Sequence, residues 1–600
     1  MPGIVGIVSR SADAAASVAR MVNSMVHEPW YRSGSHSEPA LGLHLGWTGF
    51  REQEMPSLVW NGARNIALLL CGEDFSFDGS VGEAHTQQLI ARYERDGEAF
   101  VSTLNGSFCG LVLDLRQSCA LLFNDRFGAG RVYTRRERDG LYFATEAKAL
   151  LRLLPALRRF DRLGLAQTMS MGCTLGTRTL FEGIDTLAPG SMCRINRDGT
   201  VHERRYFDAK TWESQPELDA AAFGERLAEV FSRIVPRYLR GPGACAMSLT
   251  GGLDGRMLLA WARPGAGELP CYTFDGAYRE CHDVRIARAV ARAIAQPHAT
   301  VPVDAEMLGR FAALAEKCVY VSDGAMDVSG AVEVHVNRAA RAIAPIRLTG
   351  NYGSEIMRAN VAFRPRALER PWLANDLGAL IGEAAAQYER ERQGHAVSFI
   401  AFKQVPWHHH ARRSIEQSQL TVRSPFLDND LVALMYRATP ALLQSRQPSL
   451  QLIHDGNPAL ADIATDRGYT HAPATRAGRL RNSLREFSAK AEYAYDYGMP
   501  QPLAKIDRLL APLRPERLFL GRHKFYHFRI WYRRVLADYV RDTLLSQRAL
   551  QRSCYQPQAL RAFVEGHTEG RANHTLELHR ALTVELSQQQ LFDRWTTRAA

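Results

Sequence analysis

Residues 246–261 read AMSLTGGLDGRMLLAW, and they join an apolar strand to a helical pattern through a glycine-rich loop. Glycines after a strand allow an anion to approach the backbone closely, and the start of the next helix presents unpaired N–H groups and a positive dipole end. A carboxylate in such a loop, here Asp254, is explained by a Mg²⁺ ion between it and a phosphate. The stretch therefore predicts a phosphate site, with an ordinary strand–turn–helix corner as the alternative.

The segments around this loop alternate between strand and helix patterns, which is typical of a parallel sheet wound with helices. The strand patterns are ACAMSL (244–249), LPCYTFDG (269–276) and HATVPVD (298–304). The helix patterns are RMLLAWA (256–262) and HDVRIARAVARAIAQ (282–296). Beyond about residue 360 the pattern is mostly helical, and it predicts breaks at PWHHHARR (406–413), SPFLDND (424–430) and YTHAPATRAG (469–478).

The first 205 residues have a different pattern, with short strand-like runs bounded by turn signals. These runs are GIVGIV (3–8), NIALLLCG (65–72), FCGLVLDL (108–115), CALLFND (119–125) and LYFATEAKALL (141–151). One helix is predicted at HTQQLIARYERDG (85–97), and a long amphipathic helix from residue 217 marks the change of organisation. The sequence thus predicts a β-rich layered domain followed by an α/β domain.

Composition narrows the class of protein. A chain of 600 residues with 46% hydrophobic and 23% charged residues predicts at least two packed domains. The ten cysteines are scattered singly without a CxxC pair, so we expect reduced thiols and no structural zinc. No segment has the pattern of a signal peptide or membrane span, which predicts a cytoplasmic protein without membrane partners. The net charge of +11 is compatible with binding either a polyanion or an acidic substrate, so it does not distinguish between these two functions.

The loop resembles the SGGLDS pyrophosphate loop of ATP pyrophosphatases, in particular that of the asparagine synthetase family. Other segments resemble that family in the same order along the chain up to about residue 475: MPGIVGIV (1–8), CGEDFSF (71–77), LNGSFCGLVLD (104–114), NDRFGAGRVYT (124–134) with FATEAKALL (143–151), FEGIDTLAPGS (181–191), RLTGNYGSEIMR (347–358) and VRSPFLDNDLV (422–432). The relatives of that family that resemble this chain in lacking an N-terminal nucleophilic cysteine include the β-lactam synthetases and the lasso-peptide macrolactam cyclases.

The resemblance implies a multidomain α/β architecture. Residues 1–208 would form an αββα glutaminase-like domain of the N-terminal nucleophile type, residues 209–475 an α/β ATP-pyrophosphatase (PP-loop) synthetase domain, and residues 476–600 a helical extension. In the family, glutamine supplies ammonia, a carboxylate is adenylated by ATP, and ammonia then displaces AMP. The extension could shape an acceptor pocket, mediate dimerisation or bind a leader peptide.

The resemblance also assigns roles by position. Asp254 and Glu355 would hold Mg²⁺ on the ATP phosphates. The residues that would contact ATP or pyrophosphate are Leu249, Thr250, Gly251, Gly252, Gly255, Thr349 and Gly350. Arg467 is the nearest cation where the family has a lysine, and with Asp254 and Glu355 it completes the candidate catalytic set. Gly255 lacks the hydroxyl of the family's second loop serine, and GNYGSE (350–355) is one residue longer than its counterpart.

The glutaminase residues of the family are mostly replaced. Pro2 stands where the family has its nucleophilic cysteine, Cys71-Gly72-Glu73 replaces Asn-Gly-Glu, and His85 replaces a pocket aspartate. A pocket arginine has no counterpart in LHLGWTGF (43–50). Since proline has no thiol to attack an amide, we expect no glutamine hydrolysis and a structural role for the first domain.

These observations favour an AMP-forming, Mg²⁺-dependent amide ligase that takes nitrogen from ammonia or an amine. Its partners would be a small-molecule or peptide carboxylate and an amine donor, and a homodimer is also open. An alternative within this class is an intramolecular β-lactam or macrolactam synthetase, such as a lasso-peptide cyclase. An alternative from another class is a non-catalytic ATP-binding homologue. A nucleic-acid-modifying ATP pyrophosphatase would not explain the first domain. His408, His409 and His410 are interpreted as a solvated or substrate-facing surface.

Overall fold

The computed structural model describes residues 2–51, 57–77, 82–138, 140–241, 243–276, 278–366, 371–472, 476–510, 513–518, 520–523 and 526–595. Its strands are β1 (Gly3–Val8), β2 (Tyr31–Glu38), β3 (Leu43–Phe50), β4 (Val59–Trp60), β5 (Ile66–Asp74), β6 (Gly106–Asp114), β7 (Cys119–Asn124), β8 (Tyr133–Glu137), β9 (Gly140–Ala144), β10 (Asp185–Thr186), β11 (Ser191–Asn196), β12 (Val201–Arg205), β13 (Cys245–Ser248), β14 (Cys271–Gly276), β15 (His298–Val303), β16 (Ile346–Thr349) and β17 (Thr421–Arg423).

Helices surround these strands. They are α1 (Ala14–Ser24), α2 (Gly82–Asp96), α3 (Ala147–Leu153), α4 (Arg162–Met171), α5 (Lys210–Glu213), α6 (Ala220–Leu239), α7 (Asp254–Ala262), α8 (His282–Ala293), α9 (Ala305–Gly309), α10 (Phe311–Val321), α11 (Ala331–Ile343), α12 (Gly353–Arg358), α13 (Asn375–Glu391), α14 (Ala396–Phe399), α15 (His410–Gln419), α16 (Asn429–Met435), α17 (Pro440–Gln444), α18 (Gln447–Gly456), α19 (Pro458–Ala461), α20 (Arg476–Tyr493), α21 (Gln501–Leu510), α22 (Phe528–Arg533), α23 (Ala537–Leu544), α24 (Gln547–Leu550), α25 (Pro557–Thr568) and α26 (Thr575–Ser587).

The first domain contains two antiparallel sheets packed face to face. One has the order β10-β8-β9-β1-β3-β2, and the other has the order β12-β11-β7-β6-β5-β4. Every residue of β1 is buried, because Ile4 and Val8 face the second sheet while Val5 and Ile7 belong to a core that includes α1 and α3. Burial on both faces explains why this strand is a continuous apolar run rather than an alternating one.

A helix covers the outer face of the second sheet as well. Leu89, Ile90 and Tyr93 of α2 pack in one cluster with Val112 and Phe123 of that sheet. With α1 and α3 on the far side of the first sheet, the order of layers is helix, sheet, sheet, helix. The αββα architecture expected for the first domain is confirmed.

The second domain contains a parallel sheet with the strand order β15-β14-β13-β16-β17. The chain runs outward from β13 through β14 to β15 and then continues on the other side of β13 with β16. The order of strands therefore reverses between β13 and β16. In open α/β sheets, ligands bind beyond the carboxyl ends of the strands at such a switch point. Ser248 and Thr349 are the last residues of these two strands.

Two local expectations from sequence were wrong. LYFATEAKALL is a strand only to Ala144 and then enters α3, because the Asp323 carboxylate from the second domain accepts hydrogen bonds from the N–H groups of Ala147 and Lys148. PWHHHARR is not a break, since a π-helical stretch over Ile400–His409 contains Pro406 and continues into α15. A wider helical turn accommodates a proline that lacks a donor.

The C-terminal helices are part of the main body of the protein. Phe528, Trp531 and Tyr532 of α22 and Leu578 of α26 belong to the same buried cluster as Phe311 of α10, and this cluster also contains residues of α1, α3 and α4. Residues 528–595 therefore share one apolar core with both domains. Among the described helices, none has the length and apolar character that crossing a membrane requires, and the cytoplasmic location stays a prediction.

Candidate functional site

A cavity of about 290 Å³ lies at the carboxyl ends of β13 and β16, at the switch point of the parallel sheet. Its lining brings together most of the site residues predicted from sequence: Leu249, Thr250, Gly252, Asp254, Gly255, Thr349, Gly350 and Glu355. Gly251 and Arg467 lie outside this lining. Two loops that are about a hundred residues apart in sequence therefore meet around one cavity.

Asp254 is the first residue of α7 and is largely buried. Burial raises the pKa of its carboxyl group to about 6, and the nearby Glu355 carboxylate adds to this, while the Arg358 guanidinium, 3.3 Å away, opposes it. Gly353 packs so closely on Asp254 that a Cβ at that glycine would lie 2.6 Å from the Cβ of Asp254. The glycine is what allows the two loops to approach each other.

Glu355 lies on α12 and faces the same cavity. One of its carboxylate oxygens accepts a hydrogen bond from Ser354 Oγ at 2.8 Å, and the other lies 3.6 Å from Nε2 of His409. The ring of His409 is neutral near pH 7, since burial lowers its pKa to about 4. Two carboxylates that repel each other across a cavity form an oxygen donor set suited to Mg²⁺. Asp254 and Glu355 thus fit the predicted metal.

The backbone of the glycine-rich loop already has partners. The Gly251 N–H donates to Asp283 Oδ1 at 2.8 Å, and the Gly252 N–H donates to Thr250 Oγ1 at 3.3 Å. The Gly251 carbonyl in turn accepts from the Asp466 N–H at 3.2 Å. A pyrophosphate that bound the Gly251 amide would have to replace Asp283.

Arg467 lies next to this loop but not in the cavity. Its guanidinium lies 3.5 Å from the Asp466 carboxylate, and its side chain is 42% exposed. An exposed cation at the rim can meet a phosphate that extends out of the cavity, but it does not line the strand ends. The catalytic role predicted for Arg467 stays a prediction.

The opposite wall consists of charged residues that the sequence analysis missed. Arg412, Arg413 and Glu416 of α15 line the cavity together with Arg347 and Glu333. Arg347 lies 3.2 Å from the Glu416 carboxylate, and Arg412 lies 3.4 Å from the Glu333 carboxylate. The three residues of α15 fall at helical spacing, which would have revealed them had PWHHHARR been interpreted as helix rather than as a break.

The replaced glutaminase residues also come together. Pro2, Cys71, Gly72, Glu73 and His85 line a second cavity, of about 620 Å³, between the two domains. Gly72 has a φ of +108°, and a Cβ there would lie 2.2 Å from the Ser107 carbonyl oxygen, so glycine is required for packing at this position.

The polar groups of this second site are occupied by neighbours. The Glu73 carboxylate accepts two hydrogen bonds from Nε of Arg423 at 2.9 and 3.0 Å and one from its Nη2 at 2.6 Å. His85 Nε2 lies 2.9 Å from Asp74 Oδ2. Burial raises the pKa of the Cys71 thiol well above its ordinary value, so this cysteine is not an activated nucleophile.

Comparison with known proteins supports the relationship seen in the motifs. Residues 75–207 match the glutamine amidotransferase domain family. The glutamine-hydrolysing asparagine synthetase 1 of Bacillus subtilis is 24% identical over 212 residues, which cover 35% of this chain and 33% of that protein. Asparagine synthetase 2 of the same organism is 23% identical over 285 residues, which cover 42% of this chain and 37% of that protein. An amidase of Gibberella zeae, chry2, is 28% identical over 189 residues, 30% of this chain and 26% of its own.

The matched regions span about a third of the length of the two Bacillus relatives. Among solved structures, a glutamine phosphoribosylpyrophosphate amidotransferase from Bacillus subtilis complexed with ADP and GMP aligns with 50% of this chain and 65% of its own, at 12% identity and a TM-score of 0.25. A score this low adds nothing to the fold assignment, which rests on the layers and the family match. The chain is similar to the asparagine synthetases, and residues 75–207 of its first domain match the glutamine amidotransferase domain family.

Proposed function

We propose that this protein is an ATP-dependent ligase that activates a carboxylate as its acyl-adenylate and joins it to ammonia or an amine. The observation that carries this proposal is the meeting of Asp254 and Glu355 in the cavity at the switch point of the parallel sheet. A pair of carboxylates beside a phosphate-type loop is suited to a nucleotide with its metal ion. The similarity to asparagine synthetases supports the same reaction class.

The residues that line this cavity would contact different parts of the nucleotide. Leu249, Thr349 and Gly350 at the strand ends would contact the nucleoside, and Thr250, Gly252 and Gly255 would lie along the phosphates. Asp254 and Glu355 would hold Mg²⁺, which supplies positive charge to the phosphate oxygens.

The reaction then has two balanced steps. A carboxylate oxygen of the acid bonds to the α-phosphorus of ATP, and the bond from that phosphorus to the pyrophosphate oxygen breaks. The amine nitrogen next bonds to the acyl carbon of this mixed anhydride, the bond from that carbon to the phosphate oxygen breaks, and AMP leaves. The amine loses a proton in this second step, and Glu333 and Glu416, which line the opposite wall beside Arg412 and Arg347, are the carboxylates that we propose as its acceptors.

The nitrogen would not come from glutamine through this chain's own first domain. Pro2 offers no thiol, the pKa of the Cys71 thiol is raised, and the Glu73 carboxylate is bound to Arg423. A glutamine in this cavity would find its family partners missing or occupied. We therefore propose ammonia or a preformed amine as the direct nitrogen donor.

A second candidate, a non-catalytic ATP-binding homologue, is favoured by two observations. The Gly251 N–H is already bonded to Asp283, and Arg467 lies outside the cavity. A pyrophosphate site with its donors occupied could hold a nucleotide without catalysing its cleavage.

Product analysis separates the two candidates. The protein is incubated with ATP, Mg²⁺, a panel of carboxylates and hydroxylamine as the amine, and nucleotides are resolved by chromatography. The ligase produces AMP, pyrophosphate and a hydroxamate with at least one acid, and glutamine does not replace hydroxylamine. ADP as the product would contradict adenylation, while ATP binding in calorimetry without any AMP would favour the non-catalytic homologue.

A further inference from the structure

The larger cavity lies between the two domains and is not used by the chemistry described above. One side is formed by β4, β5, β6 and the segment after β5 of the first domain, and its apolar wall consists of Val59, Leu70, Phe75, Phe77 and Phe108. The other side is formed by α6, α15 and β17 of the second domain. Its volume of about 620 Å³ falls within the range of pockets that enclose a drug-sized molecule.

Two buried arginines lie on the walls of this cavity without a carboxylate in direct contact, among the residues that the structure describes. Arg131 is 7% exposed and Arg413 is 5% exposed, and neither forms an ion pair with a carboxylate in the part of the chain that the structure describes. Arg131 Nη1 lies 3.4 Å from the Tyr133 hydroxyl, and Nε of Arg413 has no hydrogen-bond acceptor among the described groups. The rest of the Arg413 guanidinium is hydrogen-bonded to Tyr352, and the buried Asp125 carboxylate interacts with it at longer range. A buried guanidinium without a counter-charge is costly unless a ligand supplies one.

Two other arginines of the cavity are paired with carboxylates. Arg423 is bound to Glu73, and Arg237 lies 3.5 Å from the Asp428 carboxylate. His410 does not line the cavity but lies close to it, with its Nε2 3.4 Å from the Tyr133 hydroxyl, and it is uncharged near pH 7 because burial lowers its pKa well below the ordinary value. Arg131 and Arg413 are therefore the buried cations of this cavity that lack a directly contacting carboxylate among the described residues, whereas Glu83 and Arg240 line it at exposed positions.

Arg413 has a second property, because it lines the nucleotide cavity as well as the larger one. We propose that the cavity between the domains binds the acid that is activated, with its carboxylate on Arg413 and Arg131 and an apolar body against the first domain. A carboxylate on Arg413 faces the ATP site, as adenylation requires. The first domain would then be a substrate-binding domain rather than only a structural partner.

This inference rests on the proposed ligase function, so its test measures acid binding separately from turnover. Binding is measured by calorimetry and saturation-transfer NMR without ATP. The probes are straight-chain acids from acetate to decanoate, phenylacetate and 4-phenylbutyrate, each compared with its primary amide. We expect affinity to rise with apolar length and each amide to bind at least tenfold more weakly than its acid.

Variants locate the site. Ser107 lines the cavity and is half-buried, so S107W should fill part of it and weaken binding of the longer acids at least tenfold while ATP binding is unchanged. R413Q and R131Q should each weaken every acid at least tenfold, and R226Q, at an exposed position of α6, should not. Circular dichroism checks that each variant is folded, and S107W still tests the site if an arginine variant is not.

The outcomes are distinct. Acids that bind, and that form hydroxamates with ATP and hydroxylamine in proportion to their affinity, support the inference. Equal binding of acids and amides, or binding unaffected by S107W and R131Q, would overturn it. A protein that binds ATP but none of these acids would also overturn it, whereas acid binding without AMP formation would contradict the proposed ligase function instead.

Discussion

At the scale of single residues, Asp254 shows how a functional group opposes stability. Burial and the Glu355 carboxylate favour its protonated form in the folded state, which raises its pKa to about 6. Because the folded-state pKa is raised above the ordinary 3.8, stability from this group is present below pH 4 and is lost as the pH rises toward 6. At pH 7 the buried carboxylate is ionised and lowers the free energy of unfolding by its full contribution, unless a cation binds it.

Asp254→Asn should therefore be more stable and inactive. Each pKa unit corresponds to about 1.4 kcal/mol, and after discounting for partial exposure we expect the free energy of unfolding at pH 7, without metal, to rise by about 1 to 2 kcal/mol. The gain should be much smaller at pH 4, where the wild-type carboxyl group is protonated in the folded state and partly protonated in the unfolded state. Urea denaturation at the two pH values measures both effects.

The matched control is Asp542→Asn, at an exposed position of α23. It should change neither stability nor pyrophosphate release, whereas Asp254→Asn should reduce pyrophosphate release at least a hundredfold. Turnover by Asp254→Asn at the wild-type rate would show that the metal assignment is wrong.

Pro2 is a second position at which a single residue is informative. Restoring a cysteine there should not restore glutamine hydrolysis, because Glu73 is bound to Arg423 and Cys71 stands where the family has an amide side chain. Glutamate release from glutamine by Pro2→Cys should equal that of Pro2→Ala. A rate clearly above that of the alanine variant would contradict the view that the whole pocket is degenerate.

At the scale of secondary-structure elements, the link between β5 and β17 joins the domains. Arg423 is 5% exposed and donates to the Glu73 carboxylate and to the carbonyl oxygens of Tyr238 and Arg240. Glu73→Gln leaves a buried guanidinium with neutral partners only, so we expect the free energy of unfolding to fall by about 1 to 3 kcal/mol.

Denaturation of paired variants tests this link. Glu73→Gln combined with Arg423→Met should recover part of the loss, because the unpaired charge is then removed. Glu203→Gln on the exposed strand β12 is the control and should have little effect. If the double variant were less stable than the sum of the two single variants predicts, the pair would not be the main source of the effect.

The elements that could be predicted from the sequence are those whose conformation is determined by neighbouring residues in the chain. The run at residues 3–8 and the loop at 249–255 carry their own apolar pattern and glycines, and both are found as expected. The start of α3 depends instead on Asp323, which is far away in sequence, and the helix through Pro406 depends on a π-helical stretch. Contacts of this kind cannot be read from a local pattern.

At the scale of the whole molecule, the two domains and the C-terminal helices share one buried cluster. Removing residues 476–595 would expose partners such as Phe311 of α10 and the core faces of α1 and α3. We therefore expect a single calorimetric transition for the full chain and an insoluble or protease-sensitive product from residues 1–475. Two well-separated transitions would show that the shared core does not couple the domains.

Only the part of the site that consists of short local motifs could be predicted from the sequence. The loops with Asp254 and Glu355 were recognisable because each is a short motif, whereas the wall formed by Arg347, Arg413 and Glu416 exists only after β16 and α15 have packed together. The cavity between the domains is likewise a product of tertiary structure. Its charge balance was not visible in the sequence.

Whether this protein adenylates a carboxylic acid is measured by carboxylate-dependent exchange of labelled pyrophosphate into ATP, with Mg²⁺ and without any amine. Exchange requires that an acid be adenylated reversibly, so it isolates the first step from nitrogen transfer. We predict exchange with an acid that has an apolar body, and its loss in Asp254→Asn. A folded protein that binds ATP but shows no exchange with any acid it also binds would contradict the account.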